Sequence, residues 1–347
     1  MNKRIIKSTS HFLLITFMAY SCFAARLVYA QKPLPKDSGF SGYIELFGAY
    51  ISSNSQLNTD NKNERTDSLE KSGRRVANFR PLPLGLIAYT FTEIRTQLFL
   101  GVLPETVVQG QFQIEAGVRH DLLDGTSLRA SAIPITPFEK ETWEDPFVVD
   151  QNRKETDITS YGFKLAAENI RASGIGLEYR WIQQKIDNEK SGTFLISQPG
   201  SPLTPEDLDD LERDSKSHRF SVEYSFELMP RMNLKPIFKY TREDAKGSAN
   251  SFHALTTQLS FSYLGDKWRA FANVIAKGEW YDDTHPVFDK TRRDFSLGLF
   301  AIFAYKDPFG LKDFRIDWLN GFFMSSSNIN FYESTNYIAA LGIAYNF

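Results

Sequence analysis

Period-two alternation of apolar and polar side chains constrains this chain more than any other feature, because a strand sends successive side chains to opposite faces. Phe220, Val222, Tyr224, Phe226 and Leu228 interleave with Arg219, Ser221, Glu223, Ser225 and Glu227. Leu234, Phe238 and Tyr240 then interleave with Lys235, Lys239 and Thr241, and only Met229 to Arg231 join the two runs, which is a tight turn. The same scheme sets Phe112, Ile114, Ala116 and Val118 against Gln113, Glu115 and Arg119. It also sets Tyr161, Phe163 and Leu165 against Lys164 and Glu168, and Leu177, Tyr179 and Trp181 against Glu178 and Arg180. Further strands are predicted near 40–52, 82–91, 95–103, 126–137, 250–263, 267–282, 292–305, 312–326 and 335–347. The total is about fourteen, with twelve as the alternative count, and an even number is what a single-chain bacterial barrel requires.

A fully apolar helix is not what crosses a membrane here. Beyond the first thirty residues no uninterrupted apolar run approaches the roughly 20 residues that a helical span needs. Yet 14% of the chain is aromatic, with 29 Phe and 15 Tyr, at a mean hydropathy of −0.34. Low hydropathy with many aromatics is what barrel strands produce when one face meets lipid and the other water. A soluble β-sandwich would share the composition and bury the same rings.

The joins argue for the barrel. Asp121 to Gly125, Asn169 to Gly174, Gly265 to Lys267 and Lys306 to Gly310 are compact, and between them lie polar stretches at 53–80, 138–154, 189–213 and 283–291. That alternation predicts an all-β, transmembrane, antiparallel up-and-down barrel with short periplasmic turns and longer extracellular loops. Thr204, Pro205 and Asp207 predict a short capped helix within one loop. Trp268 and Trp280 share parity, and twelve residues at about 3.3 Å each with a tilt of roughly 40° span about 30 Å, the apolar band plus its aromatic girdles. Pro83, Pro134 and Pro236 lie within proposed strands and predict bulges or strand ends, since each removes a ladder donor. Phe300 and Ile302 carry inward parity, which makes part of the lumen apolar or the register wrong.

Residues 1–30 read as a cleaved export signal: Lys3, Arg4 and Lys7 start it, His11 to Ala25 are its apolar stretch, and Val28 and Ala30 place the cut before Gln31. The barrel is then 31–347, a single domain. Cys22, the one cysteine, leaves with the signal, so neither a disulfide nor thiol chemistry is available. Without residues 1–30 the chain carries 36 Lys+Arg and 42 Asp+Glu, a net charge of −6, which argues against nucleic acid as a partner. At the other end Tyr337, Ala339, Leu341, Ile343, Tyr345 and Phe347 form one apolar face. Tyr345 and the terminal Phe347 look like the signal read by the bacterial barrel-assembly machinery.

Five short motifs carry a family resemblance: Pro81-Leu-Pro-Leu-Gly85, Gln97-Leu-Phe-Leu-Gly101, Gly110-Gln-Phe-Gln-Ile-Glu-Ala-Gly117, Asp124-Gly-Thr126 and Trp143-Glu-Asp-Pro-Phe147. In these the chain resembles a gammaproteobacterial family of exported proteins classed as a domain of unknown function. The resemblance covers most of the chain beyond the signal. It implies location in the bacterial outer membrane and no particular chemistry.

Inward parity selects candidate lumen-lining residues of both signs: Glu45, Glu115, Arg119, Arg129, Lys164, Glu168, Glu178, Arg180, Glu223, Lys235, Lys239, Lys277 and Glu279. Mixed charge predicts weak net ion selectivity, whether these groups pair across strands or a subset forms a constriction. Fourteen strands lie nearer the open than the filled end of the barrel series, so a passive porin-like channel for small solutes is the leading expectation. About nine residues separate the cut from the first strand, too few for a plug domain, so occlusion would have to come from the loops. The competing expectation is a non-transporting surface anchor whose outer loops meet a partner. Lipid and lipopolysaccharide are the expected surroundings, and no cofactor or metal is expected.

An enzymatic reading rests on Asp207 with Asp209 and on Asp283 with His285, similar to the pairing used by the omptin barrel proteases to activate water. The surrounding omptin motifs are absent, so the expectation is not an enzyme. Glu206, Asp207, Asp209, Asp210 and Glu212 lack the ordered spacing and glycine turn of a calcium loop and read as a solvated acidic face.

Overall fold

The computed structural model describes residues 33–108, 112–135 and 141–347, so the expected export segment lies outside the described residues. In chain order the strands are β1 (Gly39–Ser53), β2 (Val76–Phe91), β3 (Thr96–Val102), β4 (Ile114–Asp121), β5 (Ser127–Ile135), β6 (Glu141–Trp143), β7 (Glu155–Glu168) and β8 (Ile175–Ile186). They continue as β9 (Ser215–Tyr224), β10 (Phe226–Met229), β11 (Met232–Ala245), β12 (Phe252–Leu264), β13 (Trp268–His285), β14 (Lys290–Lys306), β15 (Phe314–Ser327) and β16 (Ser334–Asn346). Among the described residues three short α-helices interrupt them: α1 (Pro104–Val108), α2 (Thr193–Ile196) and α3 (Pro205–Asp210).

Every pairing is antiparallel, each wall strand lies beside the wall strand that precedes it in the chain, and β16 returns to β1 from Tyr43 opposite Asn346 to Ser53 opposite Asn336. Gly42 and Phe347 exchange backbone hydrogen bonds of 2.9 and 3.1 Å at the seam, so the last residue helps to close the cylinder. β9 and β10 form one wall strand, and β6 pairs only with β7 above the wall. The wall therefore has fourteen strands. Closure leaves no long edge to aggregate and satisfies the ladder within the sheet, which hydrocarbon demands.

The two faces differ as the alternation requires. Leu46, Phe238, Leu255, Leu299, Leu341 and Ile343 project outward and exposed, while their strand neighbours are buried within. Trp268 and Trp280 are both outward, and Trp268 packs at 4.4 Å on Tyr305 of the next strand. Near the other end of the wall Tyr50 meets Tyr337 and Tyr161 meets Trp181, so aromatic pairs flank the apolar band on both sides.

Several expectations need correction. β13 and β14 run on to His285 and from Lys290, so the loop expected over 283–291 is only a short tip. β2 begins at Val76, six residues before the expected start. Pro81 and Pro83 sit where β2 pairs with β1 but not with the short β3, and a strand with one partner tolerates them on its free side. Pro236 lies opposite the interruption between β9 and β10, where pairing with β11 skips from Glu223 to Phe226. Phe226, assigned to the lipid face, is buried against Tyr224. Phe112, also assigned there, precedes β4 and reaches across the interior to Phe300, 6.1 Å away.

Candidate functional site

The interior of the cylinder is the one place where this fold gathers polar chemistry, and it divides into two arcs. All thirteen sequence-predicted residues fall on inward positions, most of them on the arc from β4 to β13. Glu115 is fully buried there and accepts hydrogen bonds from Lys164 Nζ at 2.5 Å, Ser131 Oγ at 2.7 Å and Gln113 Nε2 at 2.7 Å. Arg129 pairs with Glu105 of α1 at 2.7 Å and with Glu168 at 3.7 Å. Arg119 is held by Asp121 at 2.9 Å, Lys235 by Glu223 at 3.1 Å, and Lys277 by Glu279 at 2.7 Å. Arg180 donates to Gln113 Oε1 at 2.7 Å and Lys239 to Gln258 Oε1 at 2.9 Å. Glu178 stands in the row between Ala166 and Ser221. Glu45 lies apart from these, on the far wall, where it accepts from Arg315 at 3.3 Å.

The other arc, from β13 through β16 to β2, turns apolar side chains inward. Tyr43, Phe47, Leu82, Leu84, Phe300, Ile302, Leu319 and Ala340 are buried together with Val102 and Val107. This settles the inward parity of Phe300 and Ile302: the register is intact and the wall is apolar because a segment of chain covers it. That segment leaves the wall at Gly101, whose φ of +135° places a would-be Cβ 2.2 Å from the carbonyl oxygen of Gly85. Only glycine permits this approach and this backbone. α1 then crosses to the far wall, Tyr43 donates its hydroxyl to the Val102 carbonyl at 2.7 Å, and Phe112 leads back into β4. Sequence reasoning missed the crossing, although Pro104 with Glu105 and Thr106 directly after a strand is a helix-start signal.

The longer loops pack on one another at one end of the cylinder. Trp143 is fully buried, donates Nε1 to the Gln56 carbonyl at 3.0 Å, and lies 4.6 Å beneath the guanidinium of Arg153. Arg153 also donates to the carbonyls of Gln56 and Asn63, and burial pushes it down to about 10. Asp145 accepts the backbone N–H groups of Phe147, Gly192 and Phe194, at 2.9, 3.1 and 2.8 Å, tying two loops together. Phe147, Leu211, Ile329 and Phe331 form a small core under this roof, flanked by Val287, Phe288 and Tyr332.

His285 belongs to that core. It shares a 2.8 Å hydrogen bond with the Tyr332 hydroxyl and meets the Phe147 and Phe288 rings. Its other ring nitrogen, Nδ1, accepts from the Val287 N–H at 3.3 Å. Asp207 caps α3, accepting the Thr204 N–H at 2.7 Å as its spacing predicts. Asp210 and Asp283 both accept from Ser248 Oγ. No cluster of His, Cys, Asp and Glu suited to a metal occurs among the described residues.

A closed antiparallel cylinder with an even number of strands, an apolar exterior and a polar-lined interior defines the outer-membrane class of β-barrel. Within that class the chain belongs to the DUF2860 family of proteins of unknown function, whose model matches residues 39–346. No curated protein matches it. Among solved structures it is similar to outer-membrane-expressed OmpT of Vibrio cholerae, at 10% identity over 91% of this chain and 100% of that one, with a TM-score of 0.42. It is also similar to the CymD monoaromatic hydrocarbon channel, at 10% identity over 88% of each chain and a TM-score of 0.43. An anion-selective porin from Comamonas acidovorans follows at 8% identity, 90% and 99% coverage and a TM-score of 0.40.

Proposed function

We propose that this protein resides in the bacterial outer membrane and acts there as a passive, porin-like channel for small solutes. The observation that carries the reading is the charged arc. A cylinder that served only as an anchor could fill its interior with apolar side chains, as the opposite arc does, whereas ion pairs in series solvate a path for water. Lipid and lipopolysaccharide cover the apolar exterior, and Tyr345 with Phe347 serves the assembly machinery during insertion. The reading is non-enzymatic.

The packed roof favours a second reading, a non-transporting surface anchor whose outer loops meet a partner. Planar-bilayer conductance of the purified, refolded protein separates the two. The channel predicts discrete current steps that scale with salt concentration. Silence across voltage and salt would leave the anchor.

A further inference from the structure

The outer face of the cylinder carries a groove of about 620 Å³ across β4, β5, β7, β8 and β9 that neither the charged arc nor the loops explain. Its lining falls in two rows of outward positions. One runs from Val118 to Phe220 and the next, nearer the short turns, from His120 to Val222. The register shows how the hollow arises. Ala130 stands between Val118 and Leu165, and Ala167 between Leu128 and Leu177, so methyl groups flanked by larger side chains leave a furrow. Five strands spaced at about 4.8 Å make it about 19 Å long.

What fills such a furrow follows from where it faces. The exterior of an outer-membrane barrel borders hydrocarbon, so water has no place in it, and an empty hollow would forfeit the dispersion contacts of its walls. Lipid tails are as apolar as leucine, so shape rather than burial decides which chain stays. An acyl chain spans one leaflet, roughly half of a core about 30 Å thick, and therefore fits along the furrow. The hairpin of β7 and β8 that supplies Ala167 and Leu177 closes at the turn carrying Arg171, below the same end of the groove. That turn is fixed to the one between β4 and β5: Asn169 Nδ2 donates to the Gly125 carbonyl at 3.0 Å, and the Arg171 N–H donates to Thr126 Oγ1 at 2.9 Å. Arg171 is exposed and enters no ion pair among the described residues, and Asp124, the carboxylate whose field it shares, already accepts the Thr126 N–H at 2.9 Å. A guanidinium at this level matches a phosphate, which it grips with two parallel hydrogen bonds.

We propose that the groove holds one anionic glycerophospholipid, with an acyl chain lying along the two rows and the phosphate meeting Arg171. The chain packs on Ala130 and Ala167 and leans on Leu165 and Tyr179. The site goes beyond the channel reading: it rests on the lipid-facing exterior alone, and it holds whether or not the interior conducts.

Native mass spectrometry of the purified protein released from detergent, after incubation with dioleoyl phosphatidylglycerol, tests the site directly. Dioleoyl phosphatidylcholine, with the same chains and a zwitterionic headgroup, serves as control. One retained phosphatidylglycerol per barrel is expected, at roughly fivefold the level of phosphatidylcholine. Ala130→Leu combined with Ala167→Leu fills the furrow and should lower retention roughly tenfold. Ala272→Leu, on the same exterior but outside the groove, should leave retention unchanged and guards against a general effect of added bulk. Arg171→Gln should erase the preference for phosphatidylglycerol, and Arg171→Lys should keep most of it. Absence of a retained lipid, an unchanged filled variant, or an equal loss in Ala272→Leu would overturn the proposal. Equal retention of the two lipids, unaltered by Arg171→Gln, would overturn it as well, since no headgroup would then be read. So would a lipid-free dimer, which would give the groove to a second copy of the chain.

Discussion

The two arcs of the inner wall share one exterior and differ in the side chains that dominate within. Outside, β7 to β11 and β14 to β16 present the same kind of row, with Phe163, Val222 and Phe238 on one side and Leu299, Trp318 and Leu341 on the other. Inside, the first arc carries Lys164, Arg180, Glu223 and Lys235, whereas the second carries Phe300, Ile302, Leu319 and Ala340. Lipid imposes one rule on every strand. The interior imposes whichever rule its own contents require: polar where side chains meet one another and water, apolar where α1 and its flanks lie against the wall.

The sharpest test of this division lies in the charged arc at Lys164. Its ammonium and the Glu115 carboxylate are almost completely buried, at 4% and 0% exposure. Lys164→Met removes one partner and leaves a dry, charged carboxylate, which costs about 3–5 kcal/mol. The midpoint of urea unfolding in detergent measures it. Glu115→Gln combined with Lys164→Met should recover most of the loss, since removing both charges removes the orphan. A loss below about 1 kcal/mol for the single variant would mean that water reaches Glu115.

On the apolar arc the expected effect is smaller and of a different kind. Ile302→Val removes one methyl group from the contact between wall and crossing segment and should cost about 0.5–1.5 kcal/mol. Salt should leave this cost unchanged, because no charge is involved. A cost indistinguishable from zero would show that α1 does not rest on Ile302, and the covered wall would need another explanation.

Legibility in the sequence follows the same boundary. All fourteen wall strands were readable, because lipid enforces an apolar outer row on each of them and water a polar inner row on most, and so were the turn at Met229 to Arg231 and the cap at Asp207. The crossing of α1 was not. Phe112 obeys the alternation of the strand that follows it, and no periodic signal distinguishes a ring aimed at lipid from one aimed at Phe300. The mismatch at Phe300 and Ile302 was the visible trace of that crossing, seen from the other wall. The roof was likewise invisible: Trp143 to Phe147 reads as an ordinary loop until Asp145 is found holding the backbone of a loop almost fifty residues away. Of the lumen charges, parity gave the face, but only distances separate the dry pair at Lys164 from the ladder around it.

That ladder supplies the finest test, because Lys235 and Glu223 repeat the chemistry of Lys164 and Glu115 with water admitted. Their side chains are 27% and 20% exposed and 3.1 Å apart. Solvent screens such a pair, so Lys235→Met should cost no more than about 1 kcal/mol. The cost should also shrink at 1 M salt, where the Debye length falls to about 3 Å, while the cost of Lys164→Met stays nearly constant. The contrast decides whether the charged arc is wet. If Lys235→Met proved as damaging as Lys164→Met and as indifferent to salt, the space beside Lys235 would be dry. A dry charged arc cannot conduct, so the result would remove the physical basis of the channel and leave the cylinder as an anchor beneath its roof.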